Sequence, residues 1–184
     1  MAITITLAQI KAVDNFPASE DAFITTLVSS VTTFVEDYLK RSFEVTDYIE
    51  KRNGNGLSML FTNQYPINSI TSLTQIDKDN VVTYTWANTD YIFEGGQGRV
   101  QLRSGTFPQG LQNIKIVYNA GFATLPKDLE QAFISHVLWE KANRQGKDFG
   151  LKTKSLGDGG YQVYEQGIPS RIKMIYDLYK KFGN

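Results

Sequence analysis

The sequence has no cysteine. That excludes disulfides, thiol nucleophiles and thiolate metal sites. It has a single histidine, His136. A zinc site would have to draw its other ligands from carboxylates, and a Ser-His-Asp triad would have to use His136 as its base. Net charge is also missing, since 19 Lys and Arg balance 19 Asp and Glu. A general nucleic-acid binder carries a basic excess, so the balance argues against that class. No apolar run approaches the roughly 18 residues of a transmembrane helix. The start, Met1 to Leu7, lacks a positive region and a long apolar stretch, so no signal peptide is expected and the protein is expected to stay soluble in the cytoplasm where it is made. What remains is 184 residues, 41% hydrophobic and 21% charged. That predicts one globular domain.

Charge is uneven along the chain. Residues 1–50 carry three basic and eight acidic groups, and residues 141–184 carry nine basic and four acidic. One reading is variation over solvated faces. The other is a head-to-tail contact between copies, of the heterologous kind that closes into rings.

The pattern reads helices, then strands, then helices, an α+β chain. A short helical turn is expected near Leu7–Val13. A long helix is expected over 19–42, with Ser19 as N-cap and Glu20 and Asp21 in the first turn. Its apolar stripe runs through Phe23, Leu27, Val31, Phe34 and Tyr38, widened by Ile24, Val28, Val35 and Leu39. From about 44 to 120 the period shortens, and six or seven short antiparallel strands are predicted as an inserted β region. Asn53-Gly54-Asn55-Gly56 is read as a hairpin turn between strands near 44–50 and 57–61. Asp77 to Asn80 is read as a second turn, and Gly95 to Gly98 as a third. Helical period returns over 126–145, with Leu129, Phe133 and Val137 on one face. Residues 147–167 read as a glycine-rich loop, and 169–182 as a final helix. The whole is taken as one domain, a helical body of 1–43 and 123–184 carrying the β region.

Few residues point to chemistry. Gly95-Gly96-Gln97-Gly98 lacks the Gly-Lys-Ser/Thr ending and the following helix of a phosphate loop, so a hairpin turn is expected. Gly157-Asp158-Gly159-Gly160 offers one carboxylate where calcium needs several oxygen ligands. His136, with Glu140 four residues on, reads as a structural or interface histidine rather than a catalytic one. No catalytic, cofactor or metal site is therefore assigned. The final helix carries Ile172, Ile175, Tyr176, Tyr179 and Phe182 at helical spacing, with Lys173, Lys180 and Lys181 beside them. Tyr and Phe anchor interfaces, so this stripe is either an ordinary core helix or a docking helix.

Several segments stand in a distinctive order along the chain. They are Asp37-Tyr38-Leu39-Lys40-Arg41-Ser42-Phe43, Tyr65-Pro66-Ile67-Asn68-Ser69-Ile70, Tyr118-Asn119-Ala120-Gly121-Phe122 and Leu125-Pro126-Lys127-Asp128-Leu129. Ser155 to Gly159 and Ile168-Pro169 through Tyr179 follow. Over roughly residues 5 to 182 this order resembles the head-tail connector (adaptor) proteins of long-tailed bacteriophages or prophages. The resemblance implies a structural, non-enzymatic protein that forms a ring, typically dodecameric, below the portal. Such a ring extends the DNA channel without binding DNA specifically, and it meets the portal protein and the next neck or tail protein. It implies a place at the virion head-tail junction, with assembly in the host cytoplasm and no membrane. A stopper or tail-completion protein, or a β-rich ligand-binding module, remain alternatives.

Overall fold

The structure, a computed structural model, describes residues 5–145, 153–155, 161–163 and 167–180. It is an α+β fold whose chain divides into two compact units, Arg41–Thr124 and the flanking segments Thr4–Lys40 with Leu125–Asn184.

The flanking unit is helical. Helix α1 (Leu7–Lys11) opens with a capping box: Thr6 accepts from the Gln9 backbone N–H, and the Gln9 side chain accepts from Thr6 N. Such a reciprocal cap lets a five-residue helix persist. Helix α2 (Asp21–Leu39) follows a 3-10 turn at Ala18–Glu20. Ser19 lies inside that turn and is not the cap; the cap position is Glu20, which makes no side-chain cap bond. Helix α2 ends at Lys40, which takes a left-handed φ of 56°. Its buried stripe is Ile24, Leu27, Val28, Val31, Val35 and Leu39, while Phe34 is 45% exposed. The core-facing stripe thus joins Leu27 and Val31 of the expected stripe to all four of the residues expected to widen it. Helix α3 (Lys127–Gln145) begins where the Pro126 carbonyl accepts the Glu130 N–H. Helix α4 is Ser170–Leu178.

Two of the acidic groups near the N-terminus meet a C-terminal base inside the chain. Lys141 Nζ lies 2.8 Å from Asp14 and 3.3 Å from Glu20, and 4.6 Å from the centroid of the buried Phe16 ring. Part of the charge asymmetry therefore serves this unit's own packing.

The other unit is a sandwich of two antiparallel sheets. Strands β1 (Thr46–Gly54), β7 (Gly110–Ala120), β3 (Ile67–Ile76) and β4 (Val82–Trp86) form one sheet in that order. Strands β2 (Met59–Phe61), β6 (Arg99–Leu102) and β5 (Tyr91–Glu94) form the other. Alternation along β7 turns Ile114, Ile116 and Tyr118 inward, where they meet Leu60, Val100 and Phe107 in one buried cluster. Seven strands fill the predicted β region. The turn at Asp77 is as expected: its side chain accepts the N–H groups of Asp79 and Val81, both at 2.9 Å. Gly95–Gln97 forms a 3-10 turn that joins β5 to β6 in a hairpin, with Glu94 opposite Arg99. A strand follows it, so the phosphate-loop geometry is not formed.

Asn53 to Gly56 is not a hairpin. Strand β1 pairs with β7 and β2 pairs with β6, so the segment carries the chain from one sheet to the other. Asn55 shapes the crossing by accepting the Leu57 N–H and donating to Met59 O. Residues 147–167, read as a loop, contain a two-stranded ladder of β8 (Thr153–Ser155) and β9 (Tyr161–Val163). Gly157 to Gly160, including the weighed Asp158, lie outside the described residues. So do Lys181 and Phe182 of the predicted final helix.

Candidate docking surface on the final helix

Proline at the cap position starts α4, and the aromatic residues behind it decide how it sits. Tyr176 is fully buried, with its ring in edge contact with Phe133 at 5.8 Å. Its hydroxyl lies 3.2 Å from His136 Nδ1 and donates to the Ala132 carbonyl at 3.4 Å. Burial pushes the Tyr176 phenol well above its usual range. Ile172 is buried beside it in sequence register, one helical turn earlier. Tyr179 donates to Asp128 at 2.7 Å. Tyr38 on α2 donates to Asp177 at 2.6 Å, and Lys180 Nζ sits 4.8 Å from the Tyr38 ring centroid.

The sequence-predicted docking residues thus separate. Ile172 and Tyr176 are buried within the unit, Ile175 and Tyr179 are half-buried, and Lys173 and Lys180 are exposed. Sequence reading missed a second apolar pair. Met174 is 64% exposed and Leu178 is 68% exposed. Four residues apart on one helix, they share a face. The signal was present in the spacing, but the aromatic stripe masked it. Exposed Arg171 and Lys173 flank this ridge.

His136 is 3% exposed and has Phe34 edge-on at 5.8 Å and Trp139 at 6.0 Å. Desolvation lowers its pKa, against an opposing pull from Glu140. A buried histidine held neutral must be charged on unfolding in acid. Its stabilising effect is complete above the unfolded value, about 6.5, and is lost as pH falls from there toward the folded value. Thermal melts are expected to show a falling Tm between pH 7 and about 5.5, and His136→Gln is expected to flatten that slope. An unchanged slope in the variant would contradict the assignment.

Three of the segments that carry the resemblance meet in the sheet unit. Arg41 is 3% exposed, its guanidinium stacks 3.7 Å from the Tyr65 ring centroid, and it donates to Tyr65 O. The Phe43 and Phe122 rings lie 5.8 and 5.3 Å from the same group. Phe122 N donates to Phe43 O, and Gly121 N donates to Pro66 O. Three of the motifs that carried the resemblance are therefore one packed knot around a cation. A planar guanidinium both stacks and donates in plane, which a lysine does not reproduce. A second network was not legible: Tyr118 OH donates to Glu50 at 2.5 Å, while both Glu50 oxygens accept the Asn63 N–H at 3.0 Å. Burial and this carboxylate raise the Tyr118 pKa.

The family model described as Head completion protein matches residues 4–182. The chain belongs to that family. Solved structures share the fold. One chain of the neck of an empty gene transfer agent (GTA) particle, computed with C6 symmetry, is 14% identical with a TM-score of 0.60. The match covers 98% of this chain and 91% of that one. A chain of the neck of a native GTA particle, computed with C12 symmetry, is 13% identical with a TM-score of 0.55 over the same shares. Comparison with curated proteins gives no match. In this chain Arg41 of the motif knot and Ile172 and Tyr176 of α4 are buried, while the Met174 and Leu178 ridge is exposed. No helix among the described residues is long and apolar enough to cross a membrane.

Proposed function

We propose that this head completion protein is a structural, non-enzymatic component of the phage neck. It acts as one connector domain, assembles as a ring below the portal, extends the DNA channel and joins head to tail. The observation that carries this reading is the family match across residues 4–182. The C6 and C12 symmetries named for particles containing similar folds support the ring. Equal numbers of acidic and basic residues suit a conduit through which DNA slides without sticking.

Helix α4 is the element that docks. Its inner face, Ile172 and Tyr176, holds it to its own unit, and its outer face offers Met174 and Leu178 flanked by Arg171 and Lys173. That surface fits an apolar groove rimmed by carboxylates on the portal or an adjacent copy. Met174→Asp with Leu178→Asp places charge where the groove is apolar, and both positions are exposed, so the fold is expected to survive. Phage carrying the double variant is expected to yield tailed, infectious particles at less than about one-tenth of the parental level. Charge reversal at Lys173, Lys180 and Lys181 is expected to weaken assembly in the same direction. Normal particle yield from the ridge variant would remove α4 from the docking role.

A further inference from the structure

We infer that neighbouring copies join through their sheet edges, with β4 of one copy lying antiparallel against β1 of the next. This rests on the ring reading above and supplies the contact it needs.

The starting point is β4. It is an edge strand, paired only on its β3 side among the described residues. Its sequence, Val82-Thr83-Tyr84-Thr85-Trp86, contains no charge, no proline and no glycine. Every one of these residues favours extended backbone. Val82 is 51% exposed and Tyr84 is 52% exposed. Soluble proteins protect such edges with lysine, proline, bulges or a covering segment, because a bare uncharged edge templates further pairing. The one irregularity here lies near the start of the strand, where Thr83 falls between the Ile76–Val82 and Gln75–Tyr84 pairs, and it leaves Tyr84 to Trp86 regular. An edge of this composition is built to be covered.

The opposite edge of the same sheet fits it. Successive pairs β1–β7, β7–β3 and β3–β4 are all antiparallel. Strand β1 therefore runs opposite to β4. Laid beside the β4 edge of another copy, β1 continues the antiparallel ladder. Strand β1 is longer than β4, and Ile49 on it is 68% exposed. The sheet faces are continuous across the seam. Ile49 then falls on the face of Thr85, and Tyr48 on the face of Tyr84 and Trp86. These are the aromatic and β-branched pairings that stabilise adjacent strands. Because β1 and β4 are different surfaces of one chain, the contact is heterologous and propagates in one sense around a closed ring. A twofold pairing of β4 with β4 would stop at a dimer.

The test is hydrogen exchange on the full-length chain, with association followed in parallel by sedimentation. On association, amides of Val82–Trp86 and Thr46–Ile49 are expected to slow by about tenfold or more, while those of the central strand β7 stay as they are. Thr85→Lys, at an exposed outer-face position, is expected to raise the concentration at half-association by about tenfold or more with the monomer's circular dichroism unchanged. Three results would overturn the inference: a wild-type chain monomeric at every concentration, an oligomer whose β4 amides exchange at the monomer rate, or a lysine variant that associates like the parent. The particle assay on Met174 and Leu178 is read separately. Failed edge protection with a ridge-dependent neck removes only the sheet contact, and edge protection in a chain absent from the neck removes only the neck assignment.

Discussion

Gly121→Ala is expected to unfold the sheet unit under conditions where the parent chain is stable. Gly121 has φ +125°, a region open to glycine and closed to residues with a Cβ. Space is also missing. A Cβ built there would lie 2.3 Å from the Glu44 carbonyl oxygen and 2.6 Å from its carbon. Both are backbone atoms at the entrance to β1, so no side chain can swing aside. Relief requires moving the segment that also holds Phe43 against Phe122 and Arg41 over Tyr65. Backbone strain and lost packing together are expected to cost about 3 kcal/mol or more. Urea denaturation, followed by Trp86 fluorescence with Trp139 replaced by Phe, measures it. A loss below about 1 kcal/mol would show that this backbone relaxes freely.

Tyr176→Ala is expected to cost about 3–5 kcal/mol in the helical unit, the range for removing a buried aromatic ring. The ring fills the space beside Phe133 and His136, and α4 has only Ile172 as a second fully anchored residue. Tyr176→Phe keeps the ring and is expected to cost about 1 kcal/mol, the loss of one neutral hydroxyl interaction. The pair separates packing from hydrogen bonding. It also bears on function, because a loosened α4 no longer presents Met174 and Leu178 as a ridge. Particle yield is therefore expected to fall with Tyr176→Ala and to hold with Tyr176→Phe. Equal stability loss in the two variants would place the binding energy in the hydroxyl.

Much of this fold is written locally, and some is not. Helices α2 and α3 follow from apolar spacing, and the Asp77 and Gly95 turns follow from residues that accept their own neighbours' N–H groups or positive φ. Asn53 to Gly56 shows the limit. Asn-Gly pairs say that the chain bends, yet β1 and β2 end in different sheets, because strand partners are chosen by burial across long sequence separations. The Glu50 and Tyr118 pair is 68 residues apart and carries no local signal. On α4, the aromatic stripe identified the helix correctly but half of it is buried in its own unit, so exposed surface had to come from the weaker Met174 and Leu178 pair. Three of the motifs behind the resemblance supply Arg41, Phe43, Tyr65 and Phe122, which meet around one guanidinium.

The most direct test of the neck assignment is capture of the tagged full-length chain from a phage-producing lysate of its native host, with partners identified by mass. The account predicts recovery of a large portal-type subunit or a tail-proximal neck protein, and loss of the portal-type partner with Met174→Asp and Leu178→Asp. Recovery of neither, from a lysate in which tailed particles assemble, would contradict it.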